Sequence, residues 1–207
     1  MTHRERIQKI FKREKPDKVP WFGDLDYLAT SLIIENKKPQ NFKQSTEYID
    51  WHRNLDVGFY LQGYFPFKEI YHFEVKEWKE GNRRFRKLIT PKGDLQECWE
   101  YLPLSYSEGP VEHFVKSQDD LASLRYVYEN TEYVPDYSFG QQRLEQIGDQ
   151  GVLLFYTPKS PFIQLMALEA GIMAVTYSEM AAPDEFAETL AVMEKSFNQA
   201  ARFAVDV

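Results

Sequence analysis

Hydrophobic positions along the chain follow two periods. Val152 to Tyr156 is a continuous apolar run, and Val57-Gly58-Phe59-Tyr60-Leu61 is another. Such runs mark strands buried on both faces, as in parallel sheets. Helical spacing recurs between them. Ile7, Ile10 and Phe11 form a short stripe, Tyr48, Trp51, His52 and Leu55 a second, and Phe186, Leu190, Met193, Phe197 and Ala201 a third. Strict alternation occupies the middle of the chain. Ile70 to Trp78, Arg84 to Ile89 and Leu95 to Leu102 are separated by the turns Glu80-Gly81-Asn82 and Pro91-Lys92-Gly93-Asp94, which predicts an antiparallel meander over about residues 68–103.

Punctuation sharpens these boundaries. Thr2-His3-Arg4-Glu5 and Ser117-Gln118-Asp119-Asp120 read as capping boxes, each opening a helix. Val19-Pro20-Trp21-Phe22 reads as a first strand, and Val111 to Val115 as a short late one. Pro135-Asp136 opens a helix running to Gly148, and Ala182-Pro183-Asp184-Glu185 opens the long third stripe with proline at its first position and carboxylates in its first turn. Gly151 to Gly171 is a complete βα unit: the apolar run, the polar loop Thr157-Pro158-Lys159-Ser160-Pro161, and a helix carrying Phe162, Leu165, Met166 and Glu169 up to Gly171 as a C-cap. Loops that follow parallel strands are where α/β folds build sites. That selects Tyr156, Lys159, Ser160 and Phe162 after the central strand, and Asp24, Asp26 and Tyr27 after the first. Asp24 and Asp26 read either as ligand contacts or as a turn former and a helix cap.

Charge and composition narrow the partners. A net charge of −7 argues against a nucleic-acid surface. No apolar run approaches the roughly 20 residues of a membrane span, and the charged opening has no signal-peptide core, so a cytoplasmic setting is expected. Cys98 is single, and His3, His52, His72 and His113 are scattered at no ligand spacing, so no metal site is expected within this chain. The 13 Tyr and 15 Phe suit either a well-packed core or a ring-lined cavity. Arg83, Arg84, Arg86 and Lys87 form a basic cluster, read as a solvated sheet face ahead of an anion site.

Several segments fall in a familiar order: Arg4-Glu5-Arg6, Pro16-Asp17-Lys18-Val19-Pro20, Thr90-Pro91-Lys92-Gly93, Ser117-Gln118-Asp119-Asp120-Leu121 and Ala182-Pro183-Asp184-Glu185. Together they make the chain, over essentially its whole length, resemble the uroporphyrinogen decarboxylase superfamily. That resemblance implies a (β/α)8 barrel. Residues 1–207 then correspond to the N-terminal part of one barrel domain, a partial TIM barrel with the meander inserted and the C-terminal part absent. True decarboxylases carry a Met-Arg-Gln-Ala-Gly-Arg signature after the first strand, whose arginines grip porphyrinogen propionates. Here that segment is Gly23-Asp24-Leu25-Asp26-Tyr27, and its carboxylates would repel such a substrate. Ser160-Pro161-Phe162 matches the family's Gly-Ala-Pro-Phe/Trp turn, but the decarboxylase tyrosine a few residues on falls near Ala167.

The resemblance is therefore closer to the corrinoid-dependent methyltransferase branch, acting on a small thiol or similar acceptor. That branch binds zinc through His and Cys in its second half. The expectation is that this chain alone binds no cofactor, with corrinoid and zinc belonging to a full-length protein. A small-molecule substrate or a corrinoid protein is the expected partner, with a second copy or a missing C-terminal half as further possibilities. No catalytic residue is assigned; Asp24 is the leading polar contact. A uroporphyrinogen-type decarboxylase and a non-catalytic scaffold half-barrel are the alternatives.

Overall fold

A computed structural model describes residues 1–205. In chain order the elements are α1 (His3–Phe11), α2 (Asp26–Ile34), α3 (Thr46–Asn54), β1 (Phe59–Tyr64), β2 (Phe67–Tyr71), β3 (Glu74–Glu80), β4 (Arg83–Ile89), β5 (Leu95–Leu102), β6 (Ser107–Glu112), α4 (Leu121–Glu129), β7 (Thr131–Pro135), α5 (Ser138–Ile147), β8 (Gly151–Phe155), α6 (Pro161–Gln164), α7 (Gly171–Ala181) and α8 (Pro183–Arg202). They divide into two compact units. One comprises Met1–Pro66 with Asp136–Tyr156, and the other Phe67–Pro135 with Thr157–Val207.

The first unit is built on parallel pairing. Phe22 bridges Gly58 in parallel, and β1 pairs in parallel with β8 from Phe59↔Gly151 to Tyr64↔Phe155, with an irregularity between Leu61 and Tyr64. Parallel strands need long crossovers. Here α2 and α3 join the first pair, and β8 follows directly on α5 and the turn Gly148–Gln150. Ala29, Phe42, Tyr48, Ile49 and Ile147 form the core, in which Phe42, Tyr48 and Trp51 pack ring to ring. The capping box of α1 forms as expected: Glu5 N–H donates to Thr2 Oγ1 at 3.1 Å and Thr2 N–H to Glu5 Oε2 at 2.8 Å.

Three expectations are corrected here. Residues 19–22 make one bridge rather than a strand, and Val19 and Trp21 are exposed. β8 is not buried on both faces: Leu154 is 38% exposed and Tyr156 lies beyond the strand, because among the described strands β8 has a single neighbour, β1. The buried residues of α1 are His3 and Arg6, whereas Phe11 is 76% exposed. Arg6 reaches Asp17 through Nε at 2.7 Å and Nη2 at 3.0 Å, so the inner edge of that helix is polar. β1 extends past the apolar run to Tyr64; the burial expected for Phe59, Tyr60 and Leu61 concerns side chains outside those described.

The second unit is antiparallel. β3-β4-β5-β6 is a four-stranded meander, and β2 pairs with β7 in a separate two-stranded sheet. The alternation from Ile70 to Trp78 is thus broken at His72 and Phe73, and β7 is a strand that the sequence pattern misses. Arg83 pairs with Glu100, Arg84 with Glu108, Arg86 with Glu77 and Lys87 with Asp94, so the basic cluster is a cross-linked sheet face. Leu88, Leu95, Leu121, Leu124, Leu165, Phe186, Met193 and Phe197 make the core against α4 and α8. Ser117 and Asp120 complete the second capping box, and α8 starts at Pro183 with Asp184 and Glu185 in its first turn. Phe203 to Val205 leave α8 as a turn; Asp206 and Val207, the end of the expected helix run-out, lie outside the described residues. Among the described residues the strands form no closed barrel, and no helix is long and apolar enough to cross a membrane.

Candidate functional site

In the first unit, three loop segments follow the parallel run: Gly23–Tyr27 after the Phe22 bridge, Phe65 after β1 and Tyr156 after β8. Asp24 Oδ1 accepts from Asp26 N–H at 3.0 Å, which turns the backbone into α2. Asp26 is the first residue of α2, after the cap Leu25, and Lys43 Nζ donates to its carboxylate at 2.7 Å. Tyr27 is exposed. Phe65 and Tyr156 meet with ring centroids 6.1 Å apart.

Beneath this loop, burial pushes the Tyr48 phenol up to about 12, and the Asp26 and Asp24 carboxylates add to the effect. Burial pushes His52 down; its Nδ1 donates to the Tyr48 carbonyl at 2.8 Å, and the nearby Asp24 carboxylate works in the opposite direction. The field of Asp24 therefore reaches a buried phenol and a buried imidazole. The turn-forming reading of Asp24 is the one this geometry displays.

Lys159, Ser160 and Phe162 belong to the second unit. Lys159 and Ser160 are exposed, Ser160 is the residue before α6, and Pro161 takes the first helical position. The chemically distinctive group in this unit is Glu169, which the sequence-based selection of site residues omits. α6 runs into a π-helical turn over Leu165–Glu169, a geometry frequent at functional sites. Tyr128 Oη donates to Glu169 Oε1 at 2.8 Å, and Gln164 Nε2 donates to the same oxygen at 2.9 Å.

Burial pushes the Glu169 carboxyl up, offset in part by its two donors and Arg86, while Glu97 pushes it further up. Burial likewise raises the Tyr128 phenol, as does Glu169 itself. The turn is pinned from outside: Val115 N–H donates to the Glu169 carbonyl at 2.8 Å, and His113 Nδ1 donates to the Leu168 carbonyl at 2.9 Å. A half-buried carboxyl poised toward its protonated form, beside a phenol, can hold and pass a proton. Its sequence signal is that Glu169 shares the helical stripe of Leu165 and Met166, which puts an acid on a core-facing line.

Among the described residues no three His, Cys, Asp or Glu side chains converge as metal ligands. His3 pairs with Asp56, His72 with Glu132, and Cys98 is buried in β5. No family model, curated protein or solved structure matches the chain.

Proposed function

We propose that this chain is the front part of a (β/α)8 barrel of the uroporphyrinogen decarboxylase superfamily, working in corrinoid-dependent methyl transfer to a small thiol or similar acceptor. The supporting observation is the parallel succession of Phe22, β1 and β8 in chain order, with Asp24, Phe65 and Tyr156 following its members. Parallel strands of such folds carry their ligand sites at these ends. Asp24 and Asp26 there disfavour a polyanionic porphyrinogen, and Phe65 with Tyr156 offers an aromatic surface to a neutral or cationic group. The described residues do not fit zinc. Asp24 is assigned a positioning contact, and Tyr27 is a lesser candidate for contact with substrate.

The test is methyl transfer by the protein as its gene encodes it, supplied with methylcobalamin, zinc and a panel of small thiols, and followed by corrinoid absorbance. Loss of one substrate hydrogen bond in Asp24→Ala lowers kcat/KM roughly tenfold, about 1.4 kcal/mol. Absence of transfer to every thiol by the folded protein refutes the reading.

A further inference from the structure

We infer that Arg143 anchors a binding site for a small oxyanion, the carboxylate or phosphate group of a small molecule, on the α5 side of the first unit. This inference does not rest on methyl transfer.

The argument starts from where α5 puts the side chain. Ile147 on the same helix is fully buried, and Leu144 packs against the Phe42, Tyr48 and Ile49 core, so Arg143 sits at the edge of an apolar cluster. Its guanidinium lies 5.7 Å from the centroid of the Phe139 ring, one helical turn earlier. Nη1 donates to Gln146 Oε1 at 2.8 Å, and Gln146 is itself held by donating through Nε2 to the Gln44 carbonyl at 2.9 Å. Arg143 Nε is shut off from solvent and has no acceptor among the described residues. Burial lowers the affinity of the guanidinium for its proton, and the neighbouring Tyr48 opposes that.

What is missing is a counter-charge. Arg6, Arg53, Arg83, Arg84, Arg86 and Arg125 each have a carboxylate within ion-pair distance; among the described residues Arg143 has none, and it shares this with the exposed Arg13 and Arg202 and with Arg4, which donates to the Gly148 carbonyl. Acids are not scarce, with 32 against 25 basic residues. A half-buried cation without a counter-charge is costly unless something neutralises it. With Nε shut off from solvent, the donors a ligand can reach are at the Nη end of the guanidinium fork, whose parallel N–H groups match the two oxygens of a carboxylate or phosphate. Fixing that fork through Gln146 and the Phe139 face preorganises it before any ligand arrives.

The experiment is a titration followed through the arginine Nε–H resonances, with inorganic phosphate, acetate and chloride as probes at matched ionic strength. One resonance, identified by its absence from Arg143→Met, shifts saturably with phosphate or acetate, with half-saturation on the order of millimolar. It does not saturate with chloride. Response to acetate alone identifies a carboxylate site, response to phosphate alone a phosphate site, and response to both the shared chemistry. Arg143→Lys, which keeps the charge and loses the fork, binds at least about tenfold more weakly. Thermal melts provide the control for folding. Arg143→Met removes an unpaired cation, so it melts at or above the wild-type temperature without anion, and the rise that anion gives the wild type disappears. Unsaturable shifts common to all three anions, or an anion-dependent rise of equal size in Arg143→Met, overturn the inference.

Discussion

Tyr128→Phe isolates the bond on which the Glu169 arrangement depends. The substitution keeps the ring, which meets Phe197 edge-on at 5.4 Å, and deletes the hydroxyl that donates to Glu169 Oε1 at 2.8 Å. Gln164 remains as the carboxyl's other donor. A hydrogen bond between neutral groups contributes about 0.5–1.5 kcal/mol, and one to a charged group about 1.5–3 kcal/mol. The cost of the substitution therefore depends on whether Glu169 is ionised.

The sign follows from the direction of the shift. Glu169 is raised above its ordinary value by burial, so its protonated form is favoured in the folded state. Its contribution to stability is fully present below the unfolded carboxyl value, about 4.5, and is lost as pH rises through the folded value. Tyr128 supports the ionised form, which is why it lowers the carboxyl's affinity for a proton. Tyr128→Phe thus costs about 1 kcal/mol on the acid side of that titration and about 2 kcal/mol on the alkaline side. The stability profile of the variant falls more steeply with pH than that of the wild type.

Urea unfolding at intervals from about pH 5 to pH 8.5, with Glu169→Gln as the background for a second Tyr128→Phe substitution, reads both effects. In that background the carboxamide cannot ionise and the cost of removing the hydroxyl is flat with pH. A cost that is flat in the wild-type background, or below about 0.5 kcal/mol throughout, refutes the assignment of a titrating carboxyl at the π-turn.

Two further outcomes follow from other contacts. Gly171 has φ +74, and a Cβ there would stand 3.0 Å from His113 Cδ2 and Nε2, so Gly171→Ala lowers urea stability by about 1–3 kcal/mol and His113→Ala recovers part of the loss. The Arg6 guanidinium beside Asp17 holds its carboxyl well below the usual range, so its contribution is present above the unfolded value near 3.8 and is lost as pH falls. Asp17→Asn accordingly lowers the melting temperature at pH 7, and the difference from wild type narrows as the pH is brought below that value.

How much of this was legible in the sequence depends on whether the cause was local. The capping boxes at Thr2 and Ser117, the proline at the start of α8 and the turns at Gly81 and Gly93 rest on bonds within a few residues, and each forms where the pattern puts it. The strand at β7 was not legible, because Thr131-Glu132-Tyr133-Val134-Pro135 is too short to declare a period and is fixed by its pairing with β2, about sixty residues away. The same long-range pairing draws β2 out of the alternation that runs on toward Trp78, and Tyr71↔Thr131 is where it takes hold. Asp24 follows the Phe22 bridge, and its effect on Tyr48 and His52 depends on how α3 packs, which no local pattern shows. Glu169 lies within the central βα unit at a spacing that matches the core, so the pattern alone does not single it out. An acid on an apolar stripe has two physical fates, removal from the core by a shifted backbone or neutralisation by donors. Here Glu169 closes the π-turn, and Tyr128 and Gln164 supply the donors that its carboxyl needs.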